Sequence, residues 1–302
     1  MKLKLRISLD DHGVPAYEVL SRRMNMSGLI IKKIRLYGRL LVNGVASRMK
    51  DPVFEGDSIE AILDDERSPA SRPDCGIQIY YEDDWVIVCE KPADLVTHPS
   101  WQHMDDSLIQ RLSDDRLHPV IRLDRDTTGV IVVAKNGYAH NQITERTMHK
   151  EYIGIVHGCF SPTSGVIDLP TGRSDTSIIT RIVREDGKKS ITRYNTLLVN
   201  DDINISMVRF ILETGRCHQI RVHSCHLGHP IVGDGLYGPL SRDFPDPDPI
   251  LRSRDERIER QALHASVLSF IHPVTQECMI FHSALPADML RLITDRDGQT
   301  RH

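Results

Sequence analysis

The chain has 302 residues and a formal net charge of −4, with 26% charged and 40% hydrophobic residues. That length exceeds one typical domain and allows about 75% of the unfolded surface to be buried, so a core without disulfide staples is expected. No apolar run approaches the roughly 18 residues of a membrane span, and the N-terminus lacks the apolar segment of a secretion signal. The six cysteines form no Cys-x-x-Cys pair, which predicts reduced thiols in a cytoplasmic protein.

Positive charge is concentrated at the start of the chain. Residues 1–50 contain 11 lysines and arginines against three acids, a local excess of eight positive charges. The overall charge by itself argues against nucleic acid, because phosphate contacts require Lys and Arg. A local basic face nevertheless provides the attraction that an RNA or DNA partner needs.

A helix, a strand and a tight turn are predicted within this basic region. Ser27 is a typical N-cap, apolar residues at 30, 31 and 34 share one helix face, and Gly38 is a typical C-terminal stop. The segment 39–44 predicts a strand that runs into an Asn-Gly hairpin turn, and 59–62 predicts a second short strand.

The rest of the chain predicts a separate α+β unit. The polar segment 64–76 carries two prolines and predicts a linker, with a domain boundary near residue 70. Short apolar runs beyond it favour a largely antiparallel sheet. The predicted strands are 77–82, 85–89, 129–134, 152–157, 191–199, 204–213, 264–271 and 277–282. A turn is predicted at 186–187, and 241–261 is expected to be a surface insertion.

The motif with the most chemical content is HPVIRLDRDTTG at 118–129, followed by the apolar run VIVVA. It places Asp124 between Arg122 and Arg125, next to a glycine turn that opens a buried strand. An adjacent opposite charge lowers the pKa of a carboxylate, so Asp124 is expected to be ionised and available as a nucleophile or base. Taken alone, such a run is more often a surface ion-pair cluster at a strand edge.

The longer pattern RLDRDTTGVIVVAKN at 122–136 resembles the signature of the RluA family of RNA pseudouridine synthases. Further segments resemble the other blocks of that family in the same order: EKPADLVTHPS (90–100), KEYI (150–153), GRCHQIRVH (215–223), GHPIVGDGLYG (228–238), LHA (263–265) and HPVT (272–275). The resemblance covers roughly residues 77–290. It implies a pseudouridine synthase catalytic domain at 71–302, with a largely antiparallel mixed sheet.

Three positions depart from the family pattern. Asp94 stands where Gly is usual, Ile121 replaces the usual His before Arg-Leu-Asp, and Cys217 replaces the usual Thr. None of the three supplies the nucleophile. Altered packing or loop hydrogen bonding is therefore expected, rather than lost chemistry.

The resemblance also implies roles for individual residues. Asp124 would be the catalytic residue. Tyr152 would stack on the uracil, worth roughly 1–3 kcal/mol per base, and its hydroxyl would assist deprotonation at ring carbon five. Arg221 would hold the carboxylate by a bidentate pair, and Arg122 would hold the loop or a phosphate. The uridine must first leave its stack. Asp124 could then attack the anomeric carbon, add to the ring or take a proton from the neighbouring ribose carbon, and these routes stay open.

The N-terminal helix, strand and Asn-Gly turn are similar to the αL-motif RNA-binding module of many RNA-modifying enzymes, which assigns residues 1–70 to that module. Lys32, Lys33, Arg35 and Arg39 occupy positions that face phosphate in such modules. A role in docking is expected for them, with an ordinary solvated helix face as the alternative. Relatives with this module commonly act on large-subunit ribosomal RNA, which favours rRNA over tRNA as the substrate.

Two other functions fit parts of the pattern. A glycosidase also cleaves at an anomeric carbon but needs two facing carboxylates, for which Asp126 is the second candidate. A non-catalytic RNA-binding or ribosome-assembly protein could retain the same scaffold.

A zinc site is a third possibility, because soft and imidazole ligands are dense between residues 217 and 229. They are Cys217, His218, His223, Cys225, His226 and His229. The family resemblance explains the histidines at 218, 223 and 229 without a metal. No cofactor is expected either, since the isomerisation needs no redox step and no nucleotide-binding glycine loop is found. We therefore expect a cytoplasmic monomer that binds RNA and uses no metal, cofactor or membrane.

Overall fold

The computed structural model describes residues 2–63, 72, 75–99, 103–242, 244 and 248–294. Most of the predicted linker at 64–76 lies outside these residues, as does the predicted domain boundary near residue 70, which stays a prediction. Among the described residues, no helix is long and apolar enough to cross a membrane.

Six short strands and two helices form the N-terminal unit. They are β1 (Lys2–Arg6), β2 (Val14–Pro15), α1 (Ala16–Met24), α2 (Gly28–Tyr37), β3 (Arg39–Val42), β4 (Val45–Ala46), β5 (Pro52–Val53) and β6 (Ser58–Ile62). Four strands make an antiparallel sheet in the order β1-β6-β3-β4, and β2 pairs with β5.

The predicted helix and turn are both present in this unit. The Ser27 hydroxyl accepts a hydrogen bond from the Ile30 amide at 3.4 Å and caps α2, which ends at Gly38. Asn43 and Gly44 have φ angles of 52° and 79°, the left-handed conformation that a two-residue hairpin turn requires. Helix α1 was not predicted.

The larger unit contains twelve further strands and five helices. They are β7 (Ile79–Glu82), β8 (Val86–Lys91), α3 (Leu108–Leu112), β9 (His118–Pro119), β10 (Thr128–Ala134), α4 (Gly137–Thr144), β11 (His149–His157), β12 (Ser164–Asp168), β13 (Thr171–Arg173), β14 (Arg181–Val183), β15 (Ile191–Asn200), β16 (Ile205–Leu212), α5 (Gln219–His226), α6 (Pro249–Asp255), β17 (Leu263–Ile271), β18 (Cys278–His282) and α7 (Ala287–Thr294).

A ten-stranded sheet dominates this unit. Its main path runs β12-β15-β16-β11-β17-β10-β8-β7, with β18 paired to β17 and β9 paired to β10. Every pairing is antiparallel except that of β10 with β17. The prediction of an α+β fold with a largely antiparallel mixed sheet is therefore confirmed. Strands β13 and β14 form a separate hairpin.

The parallel junction between β10 and β17 explains the glycine of the Thr-Thr-Gly motif. Gly129 has a φ of +120°, and a Cβ built on it would lie 2.2 Å from the carbonyl oxygen of Ala265. Any other residue would strain the backbone and separate the two strands. The junction directly follows the loop that carries Asp124, so the same glycine helps to place that loop.

The two units meet at helix α4. Tyr138 is buried in the hydrophobic core of the N-terminal unit and packs edge-on against Trp85, with ring centroids 5.8 Å apart. The Gln142 side chain donates hydrogen bonds to the carbonyls of Met24 and Asn25 at 3.1 and 3.0 Å. These bonds satisfy carbonyls that the end of α1 leaves without helical partners.

The prediction that 241–261 is a surface insertion is wrong for its second half. Asp255 is fully buried and its Oδ1 lies 2.7 Å from Nε2 of His157. Arg260 is also buried and donates two hydrogen bonds to Asp288, at 2.8 and 3.0 Å. The segment looked like surface because it is rich in charge, but each of these charges is buried with a partner of opposite sign or with an imidazole.

Candidate active site

The loop before β10 carries Asp124, and the backbone on both sides of this residue is fixed. The Thr97 hydroxyl donates to the Leu123 carbonyl at 2.9 Å and accepts from the Leu123 amide at 3.2 Å. The Lys91 ammonium donates to the Arg125 carbonyl at 2.7 Å. Thr97 and Lys91 both belong to the block at 90–100, so the role of that block here is to position the loop.

Lys91 is a fully buried ammonium with three short hydrogen bonds. Besides Arg125, it donates to the carbonyls of Pro92 at 2.6 Å and Leu95 at 2.7 Å. Three acceptors match the three N–H donors of the charged form. Burial acts against that charge and lowers the pKa of Lys91 to about 7. The loop is thus tied to a group that can lose its proton near neutral pH.

Arg221, on helix α5, contacts Asp124 by one nitrogen only. Its Nη1 lies 2.8 Å from Oδ2 of Asp124, while its Nε and Nη2 both lie 2.7 Å from the two carboxylate oxygens of Asp234. The expected bidentate pair with Asp124 is therefore wrong, because Asp234 takes that edge of the guanidinium. Asp234 is fully buried and was missed as a site residue, although it lies in the recognised block at 228–238.

A histidine lies on the other side of the Asp124 carboxylate. The Tyr237 hydroxyl accepts a hydrogen bond from the Arg181 amide and lies 2.8 Å from Nδ1 of His218. Nδ1 of His218 thus has the Tyr237 hydroxyl as its partner, which leaves Nε2 facing the carboxylate. This Nε2 lies 3.8 Å from Oδ1 of Asp124. Burial lowers the pKa of His218, which favours the neutral ring.

Tyr152 lies on β11 and is 7% exposed. It lines the same narrow pocket as Asp124, with a volume of about 50 Å³. The other polar and apolar walls include Arg122, Arg216, His218, Gln219, Arg221, Leu212, Ile220 and Leu263. Burial raises the pKa of Tyr152, and the nearby charge of Asp124 acts in the same direction, so its side chain is a neutral phenol.

The two arginines next to Asp124 in sequence do not pair with it. Arg122 is exposed at the mouth of the pocket, and Arg125 turns to Asp126, with Nε 3.1 Å from Oδ1. The expected placement of Asp124 between two guanidinium groups is therefore wrong, since its partner is Arg221. Among the described residues that line the pocket, Asp124 is the sole carboxylate. A glycosidase with Asp126 as the second acid lacks its facing pair.

The structure shows the local surroundings of the three residues that depart from the family pattern. Asp94 has a φ of 55°, a left-handed conformation that explains why glycine is usual there. Its carboxylate lies 3.5 Å from Nε of Arg125. Ile121 is half-buried and packs against the core beneath the loop. Cys217 is exposed on the turn before α5.

Two of the residues considered for zinc, His223 and His229, have other partners. His223 lies 2.9 Å from both the Thr192 hydroxyl and the Leu169 carbonyl, and Nδ1 of His229 lies 2.9 Å from the carbonyl of His157. Within the part of the chain that the structure describes, no group of three His, Cys, Asp or Glu side chains could hold a metal ion.

A larger cavity, of about 1190 Å³, lies on the N-terminal unit. It is lined by three of the four residues expected to dock RNA, namely Lys32, Arg35 and Arg39, and also by Arg48 and Lys50. The first two share a helix face by their spacing, and the third begins β3. Lys33 is exposed on α2 but does not line the cavity. Arg48 and Lys50 were not predicted, because they lie beyond the helix and its strand.

Comparisons with known proteins identify the family of the chain. Residues 85–226, which include Asp124, Tyr152 and Arg221, match a family model described as RNA pseudouridylate synthase. The chain is 37% identical over 270 residues to the uncharacterized RNA pseudouridine synthase YjbO of Bacillus subtilis, covering 85% of this chain and 90% of the relative. It is 36% identical over 277 residues to the ribosomal large subunit pseudouridine synthase D of Vibrio cholerae, covering 87% and 84%.

A solved structure supports the same assignment. The human protein RNA Pseudouridylate Synthase Domain Containing 1 superposes with a TM-score of 0.55 at 27% identity, over 69% of this chain and 83% of that one. Identity above 30% across most of both chains, together with the fold, leaves one conclusion. The chain is an enzyme of the RluA family of RNA pseudouridine synthases.

Proposed function

We propose that this enzyme converts uridines of large-subunit ribosomal RNA to pseudouridine, with Asp124 as the catalytic carboxylate. Relatives named ribosomal large subunit pseudouridine synthase D, from Vibrio cholerae and Pseudomonas aeruginosa, are 36% and 37% identical to this chain. The basic cavity of the N-terminal unit adds a surface suited to a large, structured RNA. Both observations favour ribosomal RNA over transfer RNA.

The assignment of Asp124 rests on the hydrogen bonds that its two carboxylate oxygens accept. Oδ2 accepts a hydrogen bond from Arg221, whereas Oδ1 accepts none from the described residues. The carboxylate is therefore held in place by one oxygen and keeps the other for the substrate. Tyr152 and His218 both line the pocket around it.

The reaction is an isomerisation, so no external reactant is needed. The bond from ribose carbon one to uracil nitrogen one breaks, the base turns, and the ribose carbon bonds to ring carbon five. The proton on carbon five leaves and nitrogen one ends with a proton. Asp124 can serve this sequence as a nucleophile toward the sugar, as a nucleophile toward the ring or as a base at the ribose.

The other site residues have supporting roles in this proposal. Tyr152 supplies a stacking face for the flipped uracil. Because the pKa of Tyr152 is raised, its neutral phenol is poorly suited to accept a proton in the free enzyme, so stacking is its main role. Arg221 orients Asp124, and Arg122 at the mouth of the pocket contacts a phosphate of the RNA. Docking falls to Lys32, Arg35 and Arg39, with Lys33 as a weaker outer contact.

Tritium release from RNA labelled at ring carbon five of uridine tests the proposal directly. Wild type should release tritium from large-subunit rRNA and not from bulk transfer RNA, and Asp124→Asn should release none while still binding the rRNA. Asp126→Asn is the matched control, since it makes the same change two residues away in an exposed ion pair with Arg125. Release from transfer RNA alone would assign a tRNA enzyme, and equal release by Asp124→Asn would remove Asp124 as the catalyst.

A further inference from the structure

The hairpin of β13 and β14 is attached to the elements that build the Asp124 pocket. At its base, Nε2 of the fully buried His223 lies 2.9 Å from the carbonyl of Leu169. Along its second strand, the Arg181 amide donates to the Tyr237 hydroxyl at 2.8 Å. His223 belongs to α5, which also carries Arg221. The hairpin is therefore held in a fixed position relative to the catalytic carboxylate.

A cleft of about 570 Å³ lies between this hairpin and the turn at 215–217 that precedes α5. Five of the residues that line it are basic: Arg173, Arg181, Arg184, Lys188 and Arg216. The nearby carboxylates, Asp175 and Asp186, both bind Arg184, each at 2.9 Å. Among these five described residues, that arginine alone has its charge neutralised by an acid.

The charges of the other four cations are not neutralised by an acid among the described residues. Arg173 and Lys188 are exposed and form no ion pair with any described residue. Nη1 of Arg181 donates to three main-chain carbonyls at 3.0–3.2 Å, and Nε of Arg216 donates to the carbonyl of Lys189 at 3.1 Å. Carbonyls satisfy hydrogen bonds without cancelling charge. Such a cluster of like charges opposes folding, which suggests that an anionic ligand compensates it.

The basic cleft and the Asp124 pocket are adjacent. Arg216 lines both of them. A strand that inserts a base into the pocket must continue past Arg216. Its backbone phosphates then pass over the cleft.

We propose that this cleft binds backbone phosphates of the RNA strand that carries the target uridine, on one side of the flipped nucleotide. The inference rests on the proposed function, because it takes the Asp124 pocket as the place where uridine enters. Phosphate contacts of this kind are independent of sequence and fix the register of the strand. The cavity on the N-terminal unit docks a remote part of the RNA, whereas the cleft holds the strand at the reacting nucleotide.

The test removes the two exposed cations that have no acidic partner among the described residues. Arg173→Gln with Lys188→Gln is compared with Arg252→Gln with Arg291→Gln, which removes two exposed charges on α6 and α7. The dissociation constant for an rRNA fragment and the kinetics of tritium release are measured at several salt concentrations. Charge reversal at both cleft positions, Arg173→Glu with Lys188→Glu, provides a stronger version of the same change.

The cleft variant should raise the dissociation constant and KM about tenfold and leave kcat within about twofold, because phosphate contacts position the strand and take no part in the reaction. The slope of log affinity against log salt should fall by roughly 1.4, or about 0.7 for each phosphate contact to a single strand. The reversal variant should bind more weakly still, and the α6–α7 control should match wild type.

Two results separate this inference from the proposed function. If wild type releases tritium but the cleft variants bind and react like the control, the cleft does not hold the RNA and the proposed function stands. If wild type releases none from any RNA while the cleft variants still lose affinity, the proposed function is wrong and the phosphate site remains.

Discussion

The hydroxyl of Tyr237 lies 2.8 Å from Nδ1 of His218, and this contact orients the ring so that Nε2 faces Asp124, 3.8 Å from its Oδ1. The same hydroxyl accepts a hydrogen bond from the Arg181 amide at 2.8 Å. The guanidinium of Arg221 lies over the ring of the same tyrosine, 5.0 Å from its centroid. Tyr237 therefore supports both groups that flank the carboxylate.

Tyr237→Phe should lower kcat about fivefold. The change removes the hydrogen bond that fixes the histidine, and one such bond is worth about 1 kcal/mol, or about a factor of five in rate. The measurement is tritium release at saturating RNA. Tyr194→Phe is the control, because its hydroxyl donates to the Pro162 carbonyl at 3.2 Å on an exposed surface. Equal kcat values for the two variants would show that Tyr237 has no part in positioning the site.

Asp234→Asn should destabilise the protein by about 3–5 kcal/mol, the range for removing one partner of a buried ion pair. Asp234 is fully buried and accepts both hydrogen bonds from one edge of Arg221. Urea denaturation gives the change in the free energy of unfolding. Glu213→Gln breaks the exposed pair with Arg193 and should cost less than about 1 kcal/mol. A similar small cost for Asp234→Asn would mean that Asp124 alone suffices to hold Arg221.

Lys91 should make the free energy of unfolding depend on pH in the alkaline range. Burial lowers its pKa from 10.5 to about 7 in the folded protein. Above that pH the unfolded chain still binds the proton that the folded chain has released, so the free energy of unfolding rises with pH, by up to about 1.4 kcal/mol per pH unit for one proton.

Lys91→Met removes this contribution and leaves the other titrating groups in place. The difference in unfolding free energy, wild type minus Lys91→Met, should therefore increase by roughly 2–3 kcal/mol between pH 7 and pH 9. Urea denaturation of both proteins at pH 7, 8 and 9 measures it. A constant difference would indicate that the three carbonyl acceptors keep Lys91 charged throughout this range.

Site residues that lie in contiguous motifs can be found from the sequence, whereas those whose role depends on packing cannot. Asp124 and Arg221 are 97 residues apart, yet each could be singled out because its motif is local. The partners of Asp124 and Arg221 could not be identified from the sequence, because a tight turn sends neighbouring side chains in different directions. Arg125 thus binds Asp126, and Asp234 takes the bidentate edge of Arg221.

The hairpin of β13 and β14 was missed for a different reason. Strand prediction relies on one buried face, which produces alternation of apolar and polar residues. Only Thr171 is buried in these two short strands, and Ile182 is exposed. The turn predicted at 186–187 lies just beyond the second strand. A hairpin shaped by contacts at its base, rather than by a core face, leaves little periodic signal.

The cavity on the N-terminal unit should contribute affinity and not rate. Lys32→Gln, Arg35→Gln and Arg39→Gln together should weaken rRNA binding, and the slope of log affinity against log salt should fall by up to about 0.9 for each duplex phosphate that the variant no longer neutralises. Tritium release at saturating RNA should stay unchanged. Lys33→Gln, on the same helix but outside the cavity, should have a smaller effect. An equal effect of Lys33→Gln would show that general helix charge, not the cavity, attracts the RNA.

Gly129→Ala should be among the most disruptive single-methyl changes in the chain. The added Cβ would lie 2.2 Å from the Ala265 carbonyl oxygen in a backbone conformation, φ +120°, that other residues rarely adopt. A cost of more than about 3 kcal/mol is expected from clash and strain together. Gly137→Ala is the matched control, since it adds the same methyl group with no atom within 4 Å and at the first position of α4. Urea denaturation of both variants measures the change in the free energy of unfolding.

Tritium release should fall with Gly129→Ala even below its unfolding transition, because the strained junction directly follows the Asp124 loop. Full activity in a folded Gly129→Ala protein would show that the loop is positioned by Lys91 and Thr97 alone.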